Sequence, residues 1–243
     1  MLGVLAFGDS ITNGGGELQW GVALQSWAQW VARGLALPYT GLAVDGARVG
    51  SVLAEQVPRV PEGARYDLGC LYVGVNDVRG LDWDAAAFEL GHRAALAELR
   101  ARCDRVLTMT VPLDLGRPRA GAKVHDMNAA IAASAAGAGA LVVDLGGFGA
   151  RNHVMVDHVH PTAFGQIAIA ELTLDVLAAD GMTVRVRPST LIRYETTAWN
   201  RLCGDATYAY RHAKVSANAA LIGARVAWGR RRAARSGAAR SGT

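Results

Sequence analysis

Short apolar runs alternate along the chain with segments whose apolar residues recur every three or four positions. The runs at residues 2–7, 39–44, 68–73, 105–111 and 140–145 show little polar alternation, the pattern of strands buried on both faces. Between them lie helical patterns. In residues 18–37, Trp20, Leu24, Trp27 and Val31 are spaced by four, three and four. Residues 49–57 predict a short helix ended by Pro58. Residues 84–102 predict a longer one, with Asp84 near its start and Arg100 and Arg102 near its end, as the helix dipole favours. Residues 123–136 form an Ala-rich helical pattern. Residues 161–179 predict a helix with Pro161 at its start, where a missing N–H is harmless. Pro112 stops the fourth strand.

Strand and helix in alternation imply an α/β fold: a parallel sheet covered by helices on both faces. Ligands of such sheets bind beyond the carboxyl ends of the strands. The loops to search for chemistry are therefore 8–16, 45–50, 74–80, 112–120 and 146–160. No internal repeat is visible.

Composition narrows the class. The 243 residues are 51% hydrophobic and 19% charged, enough apolar material for a core and too much for a mainly disordered chain. Gly (29) and Pro (7) follow no period, which excludes a collagen-like chain. The three cysteines, Cys70, Cys103 and Cys203, are odd in number and contain no CxxC pair. A disulfide framework or Cys-rich zinc site is not expected. No basic-then-apolar leader opens the sequence, and no run of about 20 apolar residues could cross a bilayer. The expectation is a soluble, reduced, cytoplasmic protein.

The net charge of +4 hides a division. Residues 1–181 carry 13 Lys/Arg against 19 Asp/Glu, and residues 182–243 carry 12 against only Glu195 and Asp205. The body is thus acidic, at −6, and the tail basic, at +10. Such a tail suits phosphates, of lipid headgroups or nucleic acid, or it is simply a solvated end. No specific nucleic acid is predicted. Residues 206–229 are helix-prone, with Tyr208, Val215, Ala219, Ile222 and Val226 near one face, a stripe suited to packing against the acidic body or to resting on anionic lipid. Three segments are expected: an α/β domain over 1–181, a helical extension over 182–229 with a short strand near 183–187 and a break near Gly204, and a disordered Arg-rich tail over 230–243.

The chemistry lies in four loops. The first strand runs into Gly8-Asp9-Ser10-Ile11, where Ser10 either presents a nucleophilic hydroxyl or starts a turn. The following Gly14-Gly15-Gly16 matches no phosphate-loop pattern. After the last strand comes Asp157-His158-Val159-His160-Pro161. A carboxylate three residues before an imidazole, in a turn entering a helix, can fix its tautomer, which makes His160 the candidate base and Asp157 its orienter. His153 and His158 are rivals in the same loop. His158 adjoins Asp157, so its side chain should diverge, to cap or to face solvent. Gly74-Val75-Asn76-Asp77 offers the Asn76 amide, and Asp45-Gly46-Ala47 offers a backbone N–H at Gly46 that a substrate can approach closely; both are candidate oxyanion donors, or ordinary loop residues.

Together these loops resemble the four sequence blocks of the SGNH hydrolases, the GDSL-type esterases and lipases: Gly8-Asp9-Ser10-Ile11, with Ile where the family often has Leu; Gly46; Gly74-Val75-Asn76-Asp77; and Asp157-His158-Val159-His160-Pro161. Order and spacing fit over residues 1–180. The resemblance implies a flavodoxin-like three-layer α/β/α sandwich with a five-stranded parallel sheet. It implies Ser10 as nucleophile, His160 as base, Asp157 as its orienter, and the Ser10 and Gly46 N–H groups with the Asn76 amide as oxyanion hole. No metal or organic cofactor is implied. The expected activity is hydrolysis of carboxylic esters or thioesters of small or medium acyl groups through an acyl-enzyme. An acyltransferase, or a non-catalytic module that uses the basic tail to hold a membrane or acidic partner, would use the same scaffold. Trp20, Trp27 and Trp30 are core or pocket aromatics, and Arg117 and Arg119 are candidate pocket-wall residues. The resemblance leaves the tail and the oligomeric state open.

Overall fold

The structure is a computed structural model that describes residues 1–116 and 120–240. Arg117 and Arg119 lie outside the described residues. The chain divides into two units, Met1–Glu195 and Thr196–Thr243.

The first unit is built on five parallel strands in the order β2-β1-β3-β4-β5. They are β1 (Val4–Gly8), β2 (Tyr39–Gly41), β3 (Tyr66–Tyr72), β4 (Cys103–Met109) and β5 (Leu141–Val143). In β1, Val4, Leu5, Ala6 and Phe7 have no exposed surface, so both faces of this strand are covered and no polar alternation is needed. Helix α1 (Trp27–Leu35) packs with α6 (Ala163–Ala179), and α4 (Ala85–Arg100) with α5 (Lys123–Ala138), which gives the helical layers of the sandwich. The strand order reverses between β1 and β3, and a cleft opens at such a point because the crossovers leave on opposite faces. The expected fold class is therefore the observed one.

Local chemistry sets the ends of these elements. Asp84 accepts the N–H groups of Ala86 and Ala87 and caps α4, so the helix starts one residue later than the pattern suggests. Thr162 is the N-cap of α6, accepting from the Gly165 N–H, so the helix starts at Ala163 and Pro161 precedes it instead of opening it. The long helix expected over 18–37 keeps only its second half. Ser26 caps α1 through the Ala28 N–H and donates to the Thr12 carbonyl at 2.6 Å, while Trp20 sits in a turn with φ +48°. The 49–57 helix is replaced by three short pieces: α2 (Val49–Ser51), a π-turn (Val52–Gln56) and a 3₁₀ turn (Val57–Arg59). No strand forms near 183–187. A 3₁₀ turn at Pro188–Leu191 follows instead.

The segment after α6 belongs to the first unit. The Gly34 carbonyl accepts the N–H groups of Arg185 and Val186, Pro188 is buried, and Met182, Val184 and Ile192 pack on the core. The second unit is a single helix, α7 (Ala198–Arg240), continuous through Gly204 and through the Arg-rich stretch where the composition suggests disorder. Among the described residues no helix is long and apolar enough to cross a membrane.

Candidate active site

Beyond the end of β1 the chain turns at Asp9-Ser10, and two buried glutamines hold that turn in place. Gln56, aimed inward by the π-turn, accepts the Gly8 N–H at 2.9 Å and donates to the Gly8 carbonyl at 2.7 Å. Gln166 of α6 accepts the Trp27 N–H at 2.8 Å and donates to the carbonyls of Ile11 and Gly15 at 3.0 and 3.1 Å. The backbone on both sides of Ser10 is thus tied to other elements, and Ser10 itself is half-buried.

The Ser10 Oγ lies 2.9 Å from His160 Nε2, and His160 Nδ1 lies 2.7 Å from Asp157 Oδ2. The other Asp157 oxygen accepts the N–H groups of Val159 and His160, so the loop folds around its own carboxylate. Burial acts to raise the Asp157 pKa, but the hydrogen bonds from the His160 ring and the two backbone N–H groups outweigh it and hold the carboxyl below its ordinary value. An ionised Asp157 can only accept, so Nδ1 carries the proton and Nε2 is left to accept from the Ser10 hydroxyl. The His160 pKa is raised, first by the Asp157 hydrogen bond, against the effect of burial. The side chains of His160 and Asp157 are about a third exposed, at 31% and 35%, which leaves the chain of hydrogen bonds open to a small molecule.

The rival histidines are placed elsewhere. His158 has φ +56° and its Nδ1 lies 2.8 Å from Asp114 Oδ2. It diverges as expected, but toward a carboxylate, with only 18% of its side chain exposed and not facing solvent. The His153 ring stacks on Phe148 with centroids 5.5 Å apart.

The two remaining loops hang from β1 and from each other. The Val44 N–H donates to the Gly8 carbonyl, and Asn13 Nδ2 donates to Asp45 Oδ1 at 2.9 Å. Gly46 turns the chain with φ +76°, and open space lies where a Cβ would stand; a side chain would fit there, but the backbone angle favours glycine. Asn76 sits in the single turn α3 (Val75–Val78) and donates from Nδ2 to the Ala47 carbonyl at 3.0 Å. One of its two amide hydrogens is therefore committed to the Gly46–Ala47 turn. Asp77 accepts the Val49 N–H and makes the same connection a second time.

Sequence reasoning passed over three features. Gly15 is needed for space: a Cβ there would stand 2.7 Å from the Ser10 carbonyl oxygen and 3.3 Å from His160 Cδ2. Asp9 is buried, accepts the Ile11 N–H with one oxygen and has no partner for the other. Burial, against the Ile11 hydrogen bond and the His160 charge, pushes its pKa up to about 7. Gln56 and Gln166 gave no signal, because a lone glutamine in a helical pattern reads as surface. Of the tryptophans, Trp27 and Trp30 are core, and Trp20 joins Phe164 and Tyr194 in an aromatic cluster. Among the described residues no group of His, Cys, Asp and Glu is placed to hold a metal ion.

Residues 6–167 match the GDSL-like lipase/acylhydrolase family. No curated protein matches the sequence. Among solved structures, LAE5, an alpha/beta hydrolase enzyme from the metagenome of Lake Arreo, Spain, is similar at 19% identity and TM-score 0.60, over 72% of this chain and 94% of its own. Axe2, an acetylxylan esterase from Geobacillus stearothermophilus, is similar at 21% identity and TM-score 0.57, over 76% and 97%. The extracellular lipase from Streptomyces rimosus is similar at 24% identity and TM-score 0.50, over 75% and 100%. These likenesses are of fold.

Proposed function

The chain belongs to the GDSL-like lipase/acylhydrolase family, and on that premise we propose that it is a serine esterase that hydrolyses carboxylic esters or thioesters of small or medium acyl groups. The observation that carries this reading is the unbroken path from Ser10 Oγ through His160 to Asp157. In the proposed reaction His160 Nε2 takes the Ser10 proton as Oγ attacks the ester carbonyl, and Asp157 stabilises the imidazolium that forms. The oxyanion is received by the N–H groups of Ser10 and Gly46 and by the second amide hydrogen of Asn76. Collapse of the tetrahedral intermediate expels the alkoxide, which takes the proton from His160. Water, deprotonated by the same imidazole, then releases the acid and restores Ser10.

Short or medium acyl groups are proposed because the loops around Ser10 are brief: Gly46 is followed within three residues by α2, and Asn76 lies in one helical turn. For location we propose the cytoplasm, on the odd number of cysteines and the lack of a CxxC pair in the sequence. For the basic extension we propose peripheral contact with anionic lipid, supported by its charge and by the exposed Trp199, Leu202, Tyr210, Leu221 and Trp228 of α7.

Turnover of 4-nitrophenyl acetate, together with labelling by a fluorophosphonate, tests the esterase reading. The label should fall on Ser10 and abolish turnover; a Ser10→Ala protein that still hydrolyses the ester overturns the assignment. Salt-sensitive co-sedimentation of the full chain with phosphatidylserine vesicles tests the lipid contact.

A further inference from the structure

One cation beside the site has no role in the reaction just described. Arg79 caps the C-terminal end of α3, three residues after Asn76. Residues three apart on a helical turn share a face, so Arg79 stands on the face that carries Asn76. Arg79 is exposed. Among the described residues no carboxylate pairs with it: nearby Asp82 is engaged by Arg48 at 2.8 Å instead. Lys123 Nζ donates to the Gly80 carbonyl at 3.2 Å, which adds positive charge to the same loop. The His160 ring senses Arg79, whose charge opposes protonation of the base.

That last effect works against catalysis of a neutral ester, because attack by Ser10 requires His160 to become an imidazolium. An anion on the substrate would offset it. We propose that Arg79 is a specificity-determining residue that holds an oxyanion carried by the ester, a carboxylate or phosphate placed near the scissile bond. The inference rests on the esterase reading and names the substrate class of the same site. Asp45 and Asp77 both lie within electrostatic reach of Asp9, so without Arg79 the local field would repel such a substrate. A guanidinium presents a planar fork that matches either anion.

The test compares matched esters with the full-length protein. One pair is 3-acetoxybenzoate against its neutral methyl ester, with the charge on the leaving group. A second is mono-(4-nitrophenyl) glutarate against 4-nitrophenyl butyrate, with the charge on the acyl group. A third arm, 2-acetoxyethyl phosphate against 2-methoxyethyl acetate, separates phosphate from carboxylate. At least one charged ester should be preferred by about tenfold in kcat/KM, the worth of one charge-assisted hydrogen bond. Arg79→Ala should remove that preference mainly through KM, Arg79→Lys should keep part of it, and Arg79→Glu should reverse it. The preference should also weaken as salt rises. Equal kcat/KM for charged and neutral esters in the wild-type protein, or a ratio unchanged in Arg79→Ala and Arg79→Glu, overturns the proposal while leaving the esterase reading intact. Failure to hydrolyse any of the neutral esters, with no Ser10 labelling, removes the esterase reading and this inference together.

Discussion

His158 Nδ1 lies 2.8 Å from Asp114 Oδ2, a contact between residues 44 apart in sequence. It commits the nearer neighbour of Asp157 to a different carboxylate and leaves Asp157 to His160. His160→Ala should therefore reduce kcat/KM by at least about 10³, comparable to Ser10→Ala, since the members of such a chain act as a unit. His158→Ala should lower it by less than about tenfold. Steady-state kinetics of the three variants on one soluble ester decides the matter, and a His158 variant more damaged than the His160 variant would remove His160 from its role.

The base must be neutral to accept the Ser10 proton. Its pKa is raised above the ordinary 6.5 by the Asp157 hydrogen bond and by the negative charges of Asp157 and Asp9. The acid limb of kcat/KM against pH should accordingly have its midpoint above 6.5. Asp9→Asn removes one of those charges, so the midpoint should move to lower pH. A midpoint that stays in place would mean that Asp9 is not ionised when His160 titrates.

Asn76→Ala should lower kcat by roughly 10²–10³ with little change in KM, if its amide meets charge that develops only in the transition state. The structure adds a second expectation. Asn76 also supports the Ala47 carbonyl, so the alanine variant should lose some thermal stability, whereas Gly15→Ala should act through geometry. Its new Cβ would press on Ser10 and on the edge of the His160 ring, so kcat should fall by about 10²-fold for a displacement on the order of 1 Å. A Gly15→Ala enzyme with normal kcat would show that this turn can shift freely.

His92 is buried between two hydroxyls, with Nδ1 2.6 Å from Ser134 Oγ and Nε2 3.1 Å from Thr108 Oγ1. Burial lowers its pKa from 6.5 to about 4. The unfolded chain then binds a proton between those values that the folded chain refuses, so this residue's contribution is complete above 6.5 and is lost as pH falls toward 4. Denaturant unfolding at several pH values should show stability declining across that window. His92→Gln should flatten that decline, and an unchanged slope would assign the loss to other groups.

Truncation separates the two units. Ending the chain after Glu195 should leave the melting temperature and soluble-ester turnover near those of the full-length protein. Ending it after Met182 removes the Arg185 and Val186 hydrogen bonds to Gly34 and the apolar cover from Val184 and Ile192, and should lower the melting temperature by several degrees. Equal melting temperatures for the two truncations would show that this strap is dispensable.

The sheet was legible in the sequence because doubly covered strand segments carry no charge: β1 carries none, and neither do the buried C-terminal parts of β3 (68–72) and β4 (106–109). Ser10, Asp157, His160, Gly46 and Asn76 could be picked out because their four loops, each ordinary alone, together resemble the SGNH blocks in order and spacing. What the sequence could not supply was anything that depends on contacts between distant segments. The apolar spacing of Trp20 and Leu24 extends a helical period that Ser26 interrupts, and only the Ser26–Thr12 hydrogen bond shows the helix starting there. The composition of 182–195 reads as the start of a basic tail, yet its backbone is held by Gly34. Gln56 and Gln166 carry no local pattern, and their burial follows from the carbonyls and N–H groups of Gly8, Ile11, Gly15 and Trp27 that would otherwise be left without partners. Local periodicity is set by each element's own solvent exposure, so the chain alone determined the strands of the sheet and the helices α4, α5 and α6. The pairing of polar groups is set by which elements meet, and that only the tertiary structure decided.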